Sequence, residues 1–183
     1  MSNQIKKSRN LAELFVRVFE KIKIESRRHL CEEIDITPSQ FTALKYLNQH
    51  DSNLLSDLAE GLLISNAAVT KMTDRLEKKG LVKRVNHAGD RRATVLKLTA
   101  LGKELVSKAT QAETNGWKKV IDRMSETQRD ALMQGIQAFI KSGLIDIRDY
   151  NEICLKCGIE HQDSCPLECT AKEKQDNLSP LSH

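Results

Sequence analysis

Aromatic side chains are scarce in this chain, 4% of 183 residues, whereas leucine, isoleucine, valine and alanine are frequent. That balance favours a helix-rich protein whose core is aliphatic. No run of about 18 apolar residues is present, so a membrane-spanning helix is not expected. The opening M-S-N-Q-I-K-K-S-R-N lacks the apolar stretch of a secretory signal, and a cytoplasmic setting is expected. Catalytic equipment is missing as well. The histidines (His29, His50, His87, His161, His183) are scattered, no glycine-rich phosphate loop appears, and no Ser or Cys has the context of a nucleophile. Five cysteines in such a chain point to reduced thiols or metal ligands rather than to structural disulfides. The length allows one ordinary core with a small appendage.

What is present concentrates between residues 65 and 102. S-N-A-A-V-T-K-M-T-D-R-L-E-K-K-G places Val69, Met72 and Leu76 at helical spacing, with Ser65 as N-cap and Gly80 where the helix should end. The next two runs, 81–85 and 94–98, alternate apolar and polar residues as a half-buried hairpin does. The joining loop, H-A-G-D-R-R-A, is polar and charged. A helix followed by a hairpin with a basic tip reads as a winged helix-turn-helix, in which the helix enters a major groove and the tip reaches a minor groove. On that reading Asn66, Ala67, Thr70 and Lys71, at the N-terminal half of the helix, meet base edges, and Ser65 and Arg75 contact phosphates.

Charge is distributed accordingly. Residues 65–103 hold ten Lys/Arg against three acids, a net of +7, although the whole chain is only +4. A cationic surplus gathered on one supersecondary unit is the electrostatic footprint of a phosphate-binding surface.

Three stretches resemble the MarR family of bacterial winged-helix regulators. They are D-R-R-A-T-V-L-K-L-T-A-L-G at 90–102, R-L-E-K-K-G-L-V-K-R at 75–84 and I-T-P-S-Q-F-T-A-L at 36–44. Together they imply coverage of roughly residues 10–145. The resemblance implies a mainly α fold, a winged helix-turn-helix with long N- and C-terminal dimerisation helices and a two-stranded wing. It further implies a sequence-specific transcriptional regulator, a homodimeric repressor on a pseudo-palindromic operator, with a small-molecule effector read where the helical arms meet the winged domain; a metal or redox signal would instead enter through the cysteines of the C-terminal tail. By the same resemblance Arg92 is the wing residue that enters the minor groove, and Asp90 orients its guanidinium. His87 in that loop is expected to be solvated.

Around this reading head the helices follow in order. Leu11, Leu14, Phe15, Val18, Phe19 and Ile22 mark a first helix over about 8–31, ending near Cys31. A lone cysteine beside Glu32 and Glu33 reads as a small buried hydrophobe rather than a redox sensor. T-P-S-Q at 37–40 is a capping box opening a second helix, and 54–61 a short third one. The DNA-binding core thus spans about 36–100. Thr99 caps a fifth helix expected to reach Met124, with Gly116 either marking a bend or sitting in the helix without one, and S-E-T-Q at 125–128 opens a sixth ending near Gly143. The arms at 8–31 and 100–144 carry more apolar surface than one small core needs, which points to a two-fold dimer.

The winged domain should end near residue 148. Residues 149–183 turn acidic, seven acids against three lysines, and hold four of the five cysteines. Cys154 and Cys157 form a C-x2-C pair, Cys165 and Cys169 a C-x3-C pair, seven residues apart. Such spacing lets four thiolates meet at one tetrahedral centre, zinc or an iron–sulfur cluster, over a segment of 149–171. His161 is a spare ligand between the pairs, and residues 172–183 are expected to be a disordered polar tail. An iron–sulfur or thiol redox protein using these cysteines is the alternative function.

Overall fold

Helix ends fix the chain's path, and their caps are local chemistry. The backbone N–H of Thr37 donates to Gln40 Oε1 at 2.9 Å while the Gln40 N–H donates to Thr37 Oγ1 at 3.3 Å, so each end of this capping box satisfies the other. Ser125 and Gln128 repeat the arrangement. Thr99 Oγ1 accepts from the Gly102 N–H at 3.1 Å and donates to the Gly80 carbonyl at 2.6 Å, joining the end of one helix to the start of another.

The computed structural model of the chain describes residues 2–49, 54–86 and 94–144. Six helices and a two-stranded antiparallel sheet follow in order: α1 (Ser2–Glu33), α2 (Pro38–Gln49), α3 (Leu55–Leu62), α4 (Asn66–Lys78), β1 (Val82–Asn86), β2 (Thr94–Leu98), α5 (Ala100–Ile121) and α6 (Glu126–Leu144). The strands pair Val82 with Leu98 through Asn86 with Thr94, and a bridge from Leu54 to Val95 ties the start of α3 to the hairpin. Phe41, Leu44, Leu58, Val69, Leu76, Leu81, Val82 and Leu96 are fully or almost fully buried, so α2, α3, α4 and the sheet share one core. α5 adds Leu105, Val106 and Ala109 to this core and the end of α1 adds Cys31, while the rest of α1 lies along α5. Among the described residues no helix is long and apolar enough to cross a membrane.

Several boundaries differ from the sequence reading. α1 begins at Ser2 and runs to Glu33, beyond the expected 8–31, because its polar first turns continue the helix without a breaker. The first strand starts one residue late, at Val82. Leu81 is held by the helix exit instead: its N–H donates to the Leu76 carbonyl and the Gly80 N–H to the Glu77 carbonyl. Gly80 at φ +69 makes that exit possible without a Cβ penalty. α5 stops at Ile121 rather than Met124, and it continues as one helix through Gly116. There, a Cβ would lie 1.9 Å from Ser26 Oγ on α1. Gly116 is therefore the close-approach point of two helices.

A buried ionic cluster ties the arms to the core. Arg27 of α1 donates to Glu113 of α5, both buried, and Lys45 of α2 reaches the other Glu113 oxygen at 3.3 Å. Arg27 also lies over the Phe41 ring, 4.6 Å from its centroid. Cys31 beside it is buried, and burial pushes its thiol up from the ordinary value, against the pull of Arg27. A thiol held protonated is a poor nucleophile, in keeping with a packing role.

Candidate nucleic-acid interface

The turn between α3 and α4 sets how α4 stands on the surface. Leu63 takes the left-handed conformation (φ +53), held by N–H bonds from Leu63 to the Glu60 carbonyl (3.1 Å) and from Ile64 to the Ala59 carbonyl (3.0 Å). Its side chain is exposed. Ser65 then caps α4, its Oγ accepting from the Ala68 N–H at 3.2 Å.

Down α4, Val69, Thr73 and Leu76 are buried against the core, with Met72 half-buried beside them. The sequence pattern missed Thr73. Its polar atom is satisfied locally, Oγ1 donating to the Thr70 carbonyl at 3.0 Å, which is how a threonine can sit in an apolar seam. Ser65, Asn66, Ala67, Thr70, Lys71 and Arg75 are all exposed. Asn66, Thr70 and Asp74 succeed one another at four-residue steps, with Ala67, Lys71 and Lys78 alongside, so these residues share one face. Thr70 Oγ1 donates to the Asn66 carbonyl at 2.8 Å and keeps its lone pairs for an outside donor. Asn66, Ala67, Thr70 and Lys71, assigned to base edges from the sequence, thus share one exposed face of α4, with Ser65 exposed at its N-cap and Arg75 exposed one turn beyond Lys71.

Not every cation counted toward the basic surface is available to a ligand. Lys79 Nζ donates to the Ile34 carbonyl and to Asp35 Oδ2, both at 3.0 Å. Arg84 is engaged by Asp74 and Glu77, whose carboxylates raise its already high pKa. Lys71, Arg75, Lys78, Lys83, Lys97 and Lys103 have no ion pair with a described residue. His87, Asp90 and Arg92 lie outside the described residues, and so do Cys154, Cys157, His161, Cys165 and Cys169. Among the described residues no His, Cys, Asp and Glu group could hold a metal ion.

Residues 36–94 match the model of the MarR family. The chain is 39% identical over 85 residues to the HTH-type transcriptional repressor MdtR of Bacillus subtilis, covering 46% of this chain and 54% of that one. It is 28% identical over 113 residues to the transcriptional repressor MprA of Escherichia coli, covering 61% and 64%. The chain spans about half to two thirds of the length of most of these curated relatives. Among solved structures it resembles RV1404 from Mycobacterium tuberculosis, with a TM-score of 0.67 at 27% identity over 73% of this chain and 90% of that one. It also resembles S. aureus MepR in a crystal structure of the MepR–DNA complex, with a TM-score of 0.59 at 26% identity over 72% and 98%.

Proposed function

We propose that this chain is a transcription regulator of the MarR family, whose model residues 36–94 match, and a homodimeric repressor that binds a pseudo-palindromic operator in double-stranded DNA. The observation that carries this reading is the exposed face of α4, where Asn66, Ala67, Thr70 and Lys71 lie together opposite a buried apolar stripe. An amide, a hydroxyl, a methyl group and an ammonium side by side are suited to base edges in a major groove. The DNA-bound form of a structural relative adds weight. The relatives compared are named as regulators and repressors, and none as an enzyme, which leaves the thiol-redox alternative without support from them. A small-molecule effector would act where the arms α1 and α5 meet the winged core.

Arg92 and Asp90 keep their assigned roles as the minor-groove cation and its orienting carboxylate. Arg92→Ala is expected to weaken operator binding by about 1–3 kcal/mol and to lower the salt dependence by about one released counterion. Lys23→Ala serves as control. Lys23 sits on α1, its ammonium on Glu20 and over the Phe19 ring, and its loss should leave affinity unchanged. Titrations across salt concentrations check both. Equal losses would mean that diffuse charge, not the wing, carries binding.

The sequence pattern of Cys154, Cys157, Cys165 and Cys169 supports a metal centre, zinc or an iron–sulfur cluster, following the helical arm. Gly158, directly after the first pair, can take positive φ and turn backbone N–H groups toward the sulfurs. Replacing Cys154 and Cys157 with serine should abolish metal content in anaerobically purified protein and leave the helical circular dichroism intact. Stoichiometric metal in that variant would remove the four-cysteine assignment. Operator binding before and after chelation then separates a sensing metal from a structural one.

A further inference from the structure

Arg84 lies in β1, across the sheet from Leu96, and among the described residues it is the most heavily engaged cation of the reading head. Its backbone N–H donates to Glu77 Oε1 at 3.2 Å and Nη1 to Glu77 Oε2 at 2.6 Å. Nη2 donates to Asp74 Oδ1 at 2.6 Å and to Thr73 Oγ1 at 3.1 Å. Thr73 is fully buried and passes its own hydroxyl proton to the Thr70 carbonyl. One guanidinium thus bridges three residues of α4 from the neighbouring strand, and its chain of hydrogen bonds ends at Thr70, on the face assigned to the groove.

The position of the two acids matters as much as the bond count. Asp74 continues the four-residue steps from Asn66 and Thr70, and Glu77 lies one turn beyond Thr73 on the adjoining edge. Unpaired, two carboxylates on that surface would repel phosphates. Paired, they hold the hairpin at one angle to the helix. The fork geometry explains why the cation is arginine: a planar set of five donors can meet two carboxylates and a hydroxyl at once, whereas an ammonium cannot hold all three in one plane.

We propose that Arg84 is a positioning residue of the reading head, a clasp that fixes the β1–β2 hairpin to α4 and neutralises Asp74 and Glu77, and that it is not itself a DNA ligand. The proposal rests on the DNA-binding reading above. It divides the basic surface into cations that face a ligand, such as Lys71 and Arg75, and one that organises the surface from within.

The test uses the full-length protein and an operator obtained by selection with the wild type, so failure to obtain any operator would count against the DNA-binding reading rather than against the clasp. Four variants are compared by affinity and hydroxyl-radical footprint: Arg84→Lys, Arg84→Ala, Asp74→Asn with Glu77→Gln, and all three positions together (Arg84→Ala, Asp74→Asn, Glu77→Gln). Thermal melting confirms that each is folded, and Arg84→Lys carries the test should Arg84→Ala not fold. Arg84→Lys is expected to lose about tenfold in affinity, the scale of one lost contact, together with protection at the outer edges of the footprint. Protection in the central major groove should remain. Arg84→Ala should add no further loss in the background lacking both carboxylates. Wild-type affinity and footprint in Arg84→Lys would overturn the proposal, as would an undiminished loss from Arg84→Ala in that background. Either result would mean that Arg84 acts as a simple positive charge toward phosphate.

Discussion

With Ile136→Asp and Phe139→Asp combined, the protein is expected to sediment as a monomer and to bind its operator about 10²–10⁴-fold more weakly, the range over which two linked sites gain from each other. Of the 19 residues of α6 only Leu144 is buried, while Phe139 is 71% exposed and Met133 61%, an arrangement that water penalises unless something covers it. α1 has the same surplus in Leu11, Leu14, Val16 and Val18. Between these two helices lies an open groove of about 1170 Å³ whose apolar lining includes Leu11, Phe15, Val16, Ile136, Phe139 and Ile140. A two-fold pairing of identical chains would close such a groove with the same surfaces that form it, as self-complementary interfaces do. Two carboxylates buried at that contact would cost more than the apolar area returns. The winged core lies elsewhere and should keep its helical signal, so loss of affinity with the fold intact identifies the dimer as the cause. A dimer that survives both substitutions would place the interface on another surface.

Glu113→Ala is expected to destabilise the protein by about 3–5 kcal/mol in chemical denaturation, the cost of leaving a buried charge without its partner. Glu113 receives Arg27 from α1 and Lys45 from α2, and the Arg27 and Glu113 side chains are only 8% and 10% exposed. Removing the carboxylate leaves a buried guanidinium against the Phe41 ring and the Cys31 thiol, with no countercharge from Glu113. The exposed pair of Lys118 and Asp122 is a fair comparison at 2.6 Å, and Asp122→Ala should cost no more than about 1 kcal/mol. Replacing Arg27, Lys45 and Glu113 together by Met, Met and Leu should restore much of the loss, because an apolar cluster of similar volume avoids desolvating charge altogether. A loss below 1 kcal/mol for Glu113→Ala would mean that water reaches the cluster.

These two features differ in how far they could be read from the chain. Local hydrogen bonding is written in short spacings. The caps at Thr37, Ser65, Thr99 and Ser125, the exit at Gly80 and the second strand at Thr94–Leu98 follow from neighbours within four residues or from strict alternation. The exposed face of α4 was legible for the same reason. Side-chain partnerships across the fold were not. Glu113 meets residues 86 and 68 positions away, and nothing in a helical pattern distinguishes it from a solvated glutamate. Arg84 counted toward the basic surface like any other cation, because counting signs ignores which cations a carboxylate has already engaged. Gly116 was open to reading as a bend since a glycine between Asn115 and Trp117 gives no hint that another helix passes within reach of its missing Cβ.

Selection of random-sequence duplexes by the full-length protein, read by sequencing and followed by footprinting, tests the central claim most directly. The account predicts enrichment of a pseudo-palindrome whose half-sites lie about 10 bp apart, or a multiple of that, with major-groove protection at each half-site and minor-groove protection beside it. Recovery of no sequence above the starting pool, or of a lone half-site bound by one chain, would contradict it.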